Sequence, residues 1–81
     1  MHELSIAMSI VELATEESER RNARISAVYV TLGALSGVVK DALEFCWQVA
    51  CQDTALAGAR LEVEETPGRE LEVRALELVD G

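Results

Sequence analysis

The spacing of apolar residues predicts that helices and strands alternate along the chain. From Leu4 to about Arg21, apolar residues recur every three or four positions, as on the buried face of a helix. The predicted buried positions are Ile6, Ala7, Ile10, Val11, Leu13 and Ala14. Asn22 follows this run and is predicted to end the helix in the left-handed conformation.

Other segments alternate apolar and polar residues, which is typical of strands. These segments are residues 25–32, 59–66 and 70–79. In the last of them the alternation changes phase, because Leu71 and Val73 have the opposite parity to Leu76 and Leu78. A β-bulge near Arg74-Ala75 would return both pairs to the core.

A second helix is predicted from about Val38 to Gln52, after a turn at Gly33–Gly37, with Ser36 as a candidate cap. Its predicted inner stripe is Ala42, Leu43, Cys46, Val49 and Ala50, flanked by Phe45 and Trp47 as packing residues.

The element order α-β-α-β-β predicts one α/β (α+β) domain over residues 1–81, with two helices packed on one face of a three-stranded sheet. A parallel first pair of strands would have a right-handed crossover. The open face of the sheet is predicted to display Tyr29, Thr31, Glu62, Glu64, Glu72 and Arg74.

The acidic composition limits the classes of partner. Seven Lys and Arg residues against 15 Asp and Glu give a net charge of −8, which opposes nucleic-acid binding and favours metal cations and basic protein surfaces. The apolar opening has no basic region before it, and no run reaches the length of a membrane span. We therefore expect a cytoplasmic protein with no membrane contact and with reduced thiols.

The reactive side chains favour no catalytic site. His2 is the single histidine, so a nucleophile–histidine pair cannot form within the fold, and we expect no enzyme activity. Cys46 and Cys51 are the only cysteines, and no Cys-x-x-Cys pair exists, so we expect no structural zinc. Cys46 is predicted to be a small core residue, and Cys51 to be partly exposed near the helix end.

The strongest candidate for function is the histidine at position 2. A terminal amine, the His2 amide nitrogen and the His2 imidazole form fused chelate rings, and planar nitrogen sites suit Ni(II) or Cu(II). In an arbitrary protein such a histidine is more often part of a solvated terminus.

Four stretches of the sequence bear on whether His2 belongs to a metal site or to a solvated terminus. They are Met1-His2-Glu3-Leu4-Ser5, Val30-Thr31-Leu32-Gly33-Ala34-Leu35-Ser36-Gly37, Ala59 to Glu65 with Pro67-Gly68-Arg69, and Arg69 to Glu77. Together they resemble the HypA/HybF family of hydrogenase-maturation nickel metallochaperones. The resemblance implies Ni(II) held by the Met1 amine, the His2 amide and imidazole, and the Glu3 amide, with the Glu3 side chain orienting the site.

The resemblance also implies binding partners, and the sequence differs from the family pattern at two places. The expected partners are a HypB-type nickel GTPase and the precursor of a hydrogenase large subunit. Family members carry a zinc module with two Cys-x-x-Cys pairs, and here it is absent at about 67–70, as in a natural short form or an engineered deletion. Val39 stands where the family commonly has an acidic residue, which leaves Asp41 as the nearest carboxylate. The alternatives are a protein-interaction module that handles no metal and a minimal scaffold.

The junction Thr66-Pro67-Gly68-Arg69 is interpreted as a short hairpin between the last two strands. A Pro-Gly type II turn matches the twist of such a hairpin poorly. The strain favours either a widened loop or a homodimer that exchanges the last strand, Glu70 to Val79.

Overall fold

The computed structural model describes residues 2–79 and contains the predicted order of elements. Two helices and three strands follow one another as α1 (Glu3–Arg21), β1 (Arg24–Gly33), α2 (Lys40–Cys51), β2 (Arg60–Thr66) and β3 (Leu71–Val79). Asn22 ends α1 in the left-handed conformation, with φ 51° and ψ 47°, as predicted. The predicted fold class, two helices on one face of a three-stranded sheet, is confirmed.

The first strand lies in the centre of the sheet, whose order is β2-β1-β3. β2 pairs with β1 in parallel, and β3 pairs with β1 antiparallel. The core lies between this sheet and the helices, and its fully buried large residues are Leu43, Leu56, Val28 and Val30. Leu56 belongs to the connection after α2, which the apolar periodicity of the helices did not reveal.

The inner faces of the helices differ from the predicted stripes at several positions. Leu13 and Val49 were expected to be buried, but their side chains are 52% and 42% exposed. Trp47 is buried in the core instead of flanking it, and its indole Nε1–H donates to the Ala59 carbonyl at 2.9 Å. This hydrogen bond satisfies the polar atom of the buried ring and ties α2 to the segment that leads into β2.

The predicted bulge in the last strand is confirmed. Tyr29 pairs with Ala75 and the next residue, Val30, pairs with Val73, so Arg74 is the extra residue. Leu76 packs against the core as a result, whereas Leu78 remains 38% exposed. The bulge therefore returns only one of the two leucines to the core.

Thr31 was predicted to be displayed on the open face of the sheet, but its side chain is buried. Thr31 lies between Glu64 of β2 and Glu72 of β3 in the strand register. It is only 3% exposed, and the Arg74 guanidinium donates to its hydroxyl at 3.3 Å. The bulge residue thus reaches back over the sheet and covers the threonine.

The interpretation of residues 66–69 as a hairpin is wrong, because β2 and β3 lie on opposite sides of β1. Residues 67–70 cross the end of β1 instead. Hydrogen bonds hold this crossing on both sides of the strand end: Gly33 N–H donates to the Glu70 carbonyl at 2.7 Å, and Ala34 N–H donates to the Thr66 carbonyl at 2.8 Å. Turn twist therefore gives no reason for strain at this junction.

Candidate metal centre

His2 occupies the N-cap position of α1, and its imidazole does not take part in capping the helix. Its backbone has φ −92° and ψ 79°, its side chain is exposed, and the imidazole makes no capping hydrogen bond. The first hydrogen bond of the helix runs from Ile6 N–H to the His2 carbonyl at 3.2 Å. The amide groups of His2 and Glu3 precede this bond and donate to no backbone carbonyl of the helix. A metal could therefore replace their protons without breaking the hydrogen-bond ladder of α1.

Glu3 joins the start of α1 to the start of α2. Its carboxylate Oε2 accepts a hydrogen bond from Val39 N–H at 3.1 Å. This bond, followed by one from the backbone N–H of Glu3 itself, holds the pKa of the Glu3 carboxyl below its ordinary value. Since a lowered pKa favours the charged form, any stability it adds is present above the ordinary pKa and is lost as the pH falls through the lowered one.

The loop before α2 differs from its predicted form. The helix begins at Lys40, and Val39 is its N-cap residue without a capping side chain. Ser36 does not cap the helix, because its hydroxyl accepts from Val38 N–H at 3.2 Å within the loop. Asp41 lies in the first turn of α2 and is exposed. The Glu3–Val39 contact had no signal in the sequence except that Val39 cannot cap the helix with its own side chain.

Side chains alone do not form a metal cluster in the part of the chain that the structure describes. Within residues 2–79, no group of three or more His, Cys, Asp and Glu residues is placed to hold a metal ion. The ligand set implied by the resemblance consists mainly of backbone nitrogens around His2, so it does not require such a cluster. The predicted ligand Met1 lies outside the described residues.

The two thiols differ in accessibility, and one of them contradicts the prediction. Cys46 is half-buried against the core, whereas Cys51, which was expected to be partly exposed, is only 3% exposed. It lies in the last turn of α2 and packs into the core cluster, and burial raises the pKa of its thiol to about 11. Since the thiolate is the reactive form, Cys51 is protected from thiol reagents both by its burial and by its raised pKa.

We expect iodoacetamide to label Cys46 in the native protein while Cys51 stays unmodified. The measurement is intact mass against time at neutral pH for the Cys46→Ala and Cys51→Ala variants, each of which leaves one thiol. In urea both variants should react at similar rates, which controls for intrinsic reactivity. Fast native labelling of the Cys46→Ala variant would contradict the burial of Cys51.

Over residues 2–79, neither helix combines the length and the apolar content needed to cross a bilayer.

The sequence of the chain is similar to that of known proteins. A family model described as "Hydrogenase/urease nickel incorporation, metallochaperone, hypA" matches residues 1–77. The chain belongs to the HypA family. The hydrogenase maturation factor HypA of Roseiflexus sp. (strain RS-1) is 56% identical over 68 residues, which are 83% of this chain and 55% of that protein. The HypA of Geobacter metallireducens is 49% identical over 69 residues, or 85% of this chain and 61% of that protein.

Solved structures agree with the fold. The solution structure of the Ni metallochaperone HypA from Helicobacter pylori matches with a TM-score of 0.86 at 18% sequence identity, covering 100% of both chains. At this identity the match supports the fold alone. The chain spans 55% and 61% of the length of the two curated relatives above, so it corresponds to a little more than half of each.

Proposed function

We propose that this chain is a nickel-binding metallochaperone core that holds Ni(II) at its N-terminal end and delivers it for [NiFe]-hydrogenase assembly. The observation that carries the proposal is the state of His2: its imidazole is exposed, and the neighbouring amides lie before the first hydrogen bond of α1. Membership of the HypA family supports nickel as the cargo.

The proposed ligands are the Met1 amine, the His2 amide and imidazole, and the Glu3 amide. Nitrogen ligands of this kind favour Ni(II) or Cu(II) in a tetragonal arrangement over zinc. Metal binding replaces the protons of the amides, so no side chain of the core has to move. The chain performs no catalysis in this proposal, since its role is to bind nickel and release it to a partner.

The proposed partners are a HypB-type nickel GTPase and the precursor of a hydrogenase large subunit, in the cytoplasm. The acidic charge of the chain, −8, favours a basic surface on a partner and gives no support to nucleic-acid binding. The free thiols Cys46 and Cys51 are compatible with a reducing compartment.

A protein-interaction module that handles no metal is the second candidate, and exposed apolar residues on the helices favour it. Met8 of α1 is 56% exposed, and Phe45 of α2 is 67% exposed. Such side chains are common at protein interfaces, where aromatic residues and Met are enriched. The two candidates differ in one result, which is stoichiometric nickel binding by the isolated chain.

Titration of the tag-free protein with Ni(II) tests the proposal. We expect one ion per chain and a yellow, diamagnetic complex, as nitrogen-bound square-planar Ni(II) gives. A version with a Gly-Ser extension before Met1 is the matched control, because its first amine lies two residues farther from His2. The extension should weaken or reshape the site. Absence of binding by the unextended chain would leave the interaction module as the better candidate.

We further propose that residues 1–81 form a single nickel-binding-type domain without a zinc module. The only cysteines, Cys46 and Cys51, cannot provide the four ligands of a structural zinc site. Purified protein should therefore contain no stoichiometric zinc, and EDTA should leave its melting temperature unchanged. Elemental analysis that finds one zinc ion per chain after dialysis against a chelator would contradict this.

Self-association by exchange of β3 is also a proposal. Its premise of a strained hairpin is gone, and what remains is that a short connection, residues 67–70, joins β2 to the edge strand β3. If exchange occurs, sedimentation at micromolar concentrations should show a dimer that a Gly-Ser insertion after Gly68 converts to monomer. A parent chain that remains monomeric at millimolar concentration would contradict it.

A further inference from the structure

The last strand, β3, forms one edge of the sheet, because the strand order is β2-β1-β3. Within residues 2–79 it pairs with β1 alone, so the backbone groups along its outer edge have no partner strand. Such an edge can accept a further strand through main-chain hydrogen bonds.

A groove runs between this edge and α1. One part, of about 380 Å³, is lined by Leu13 of α1 and Leu78 of β3. A second part, of about 270 Å³, is lined by Ile6 and Leu71. Val73 lines both parts, so they form one groove along the strand, called here the β3 groove. Its apolar lining includes Ile6, Leu13, Leu71, Val73, Leu76 and Leu78.

The β3 groove contains two leucines that the sequence pattern assigns to the core. Leu13 is 52% exposed and Leu78 is 38% exposed, although both fit the apolar period of their elements. Successive side chains of a strand point to opposite faces of the sheet. A strand added beside β3 would therefore place every second side chain in the groove, against these leucines.

The other side chains of an added strand would lie on the open face of the sheet, beside carboxylates of β3. Glu72 is opposite Thr31 in the register, and Glu77 is opposite Ala27. Glu77 is bound to Arg60 at 3.3 Å, whereas Glu72 makes no ion pair within residues 2–79. Arg74 does not neutralise this edge, because its guanidinium donates to Thr31 on the central strand. Basic side chains would complement Glu72 and the net charge of −8.

We propose that the β3 groove binds an extended segment of a partner protein, in which apolar and basic residues alternate, as a fourth strand of the sheet. The apolar residues cover the exposed leucines of the groove, and the basic residues pair with the carboxylates on the open face. Main-chain hydrogen bonds to β3 hold the segment in place. Such docking requires no bound metal and goes beyond the proposed nickel delivery.

A second copy of the chain fits this edge less well. Antiparallel pairing of two β3 strands can keep the apolar residues on the inner face, with Leu71 opposite Leu78 and Val73 opposite Leu76. The same register places Glu72 opposite Glu77, and like charges directly opposite each other are destabilising. The net charge of −8 adds repulsion between whole chains.

The test uses synthetic peptides of the same length as β3 and the metal-free, isotope-labelled protein. One peptide alternates Lys and Val, and a matched peptide alternates Glu and Val. A third peptide is the Lys–Val sequence with a methyl group on every backbone nitrogen, which keeps the side chains and removes the backbone donors. Titration followed by NMR gives the affinity of each peptide and locates its contact on the chain.

Three variants of the protein separate the groove from the net charge. Leu13→Lys adds a positive charge in the β3 groove. Met8→Lys is the matched control, because Met8 is a 56% exposed residue of the same helix that lies outside the groove. Both changes alter the net charge equally. Glu72→Lys reverses the charge beside the proposed strand, at an exposed position where the fold should tolerate it.

We expect the Lys–Val peptide to shift the amide signals of β3 and to leave those of β2, the other edge strand, in place. Leu13→Lys should weaken its binding at least about tenfold, because an apolar contact is lost, whereas Met8→Lys should stay within about twofold of the parent. The Glu–Val peptide should bind the parent at least about tenfold more weakly. Glu72→Lys should weaken binding of the Lys–Val peptide and strengthen binding of the Glu–Val peptide.

Several results would overturn the inference, and none of them bears on nickel binding. A Lys–Val peptide that does not bind, or that shifts β2 instead of β3, would reject the groove. Equal binding of the N-methylated peptide, or equal binding by Leu13→Lys protein, would show attraction to the net charge alone. A parent protein that dimerises without peptide, and that Leu13→Lys converts to monomer, would make a second copy the occupant.

Discussion

Replacing His2 with alanine should weaken Ni(II) binding by at least about a hundredfold and remove the visible band of the complex. Changes to groups that merely orient a metal ligand cost 10- to 100-fold in affinity, so losing the ligand itself should cost no less. His2→Ala retains the amine and the amides but lacks the ring nitrogen that closes the second chelate ring. Competition with a chromogenic nickel chelator would measure the affinity.

The melting temperature serves as the control for the His2→Ala variant. His2 is exposed and its side chain makes no capping hydrogen bond, so His2→Ala should keep the melting temperature of the parent within about 2 °C. A loss of binding can then be assigned to the ligand and not to unfolding. Equal affinity and an equal spectrum in the two proteins would reject the nickel site at position 2.

The pH dependence of binding follows from the same ligands. Amide nitrogens bind only after losing a proton, and the imidazole must be neutral. Nickel affinity of the parent should therefore rise steadily from pH 6 to pH 9, with protons released on binding. His2→Ala should show a shallower rise, because one fewer nitrogen has to be deprotonated.

The local elements of this fold could be predicted from the sequence because each has a local physical cause. Asn22 ends α1 because an asparagine tolerates the left-handed conformation. The bulge at Arg74 could be predicted because leucine parity reverses across it, and a strand cannot bury both parities without an extra residue.

The errors arose where burial depends on the position of other elements. Leu13 fits the helical period, but its side chain is 52% exposed, although the next residue, Ala14, is fully buried. Periodicity likewise could not show that Trp47 reaches the Ala59 carbonyl, since this requires knowing where the segment before β2 lies.

The order of strands in the sheet was the feature that was hardest to predict from the sequence. β2 and β3 are neighbours in the sequence with a short Pro-Gly connection, which favours a hairpin. The structure instead places the central strand β1 between them. For the metal centre, His2 and Glu3 could be proposed from the sequence, whereas the contact to Val39 depends on the two helices starting at the same end of the fold.

The crossing of residues 67–70 over β1 leaves no room for a side chain at Gly33. A Cβ at Gly33 would overlap the Gly68 carbonyl oxygen and lie 2.5 Å from its carbon and 2.8 Å from Arg69 N. These are backbone atoms, and Leu35 N–H also donates to the Gly68 carbonyl at 2.8 Å, so the loop cannot move away without losing hydrogen bonds.

We therefore expect Gly33→Ala to lower the free energy of unfolding by about 3 kcal/mol, at the upper end of the usual cost of overpacking. Urea denaturation followed by Trp47 fluorescence would measure it. Gly58→Ala is the control: Gly58 has φ +87°, but nothing lies within 4 Å of its added Cβ. It should cost only the left-handed strain of an alanine, about 1–2 kcal/mol. Gly33→Ala protein as stable as the parent would show that the crossing loop shifts freely and does not hold the end of β1.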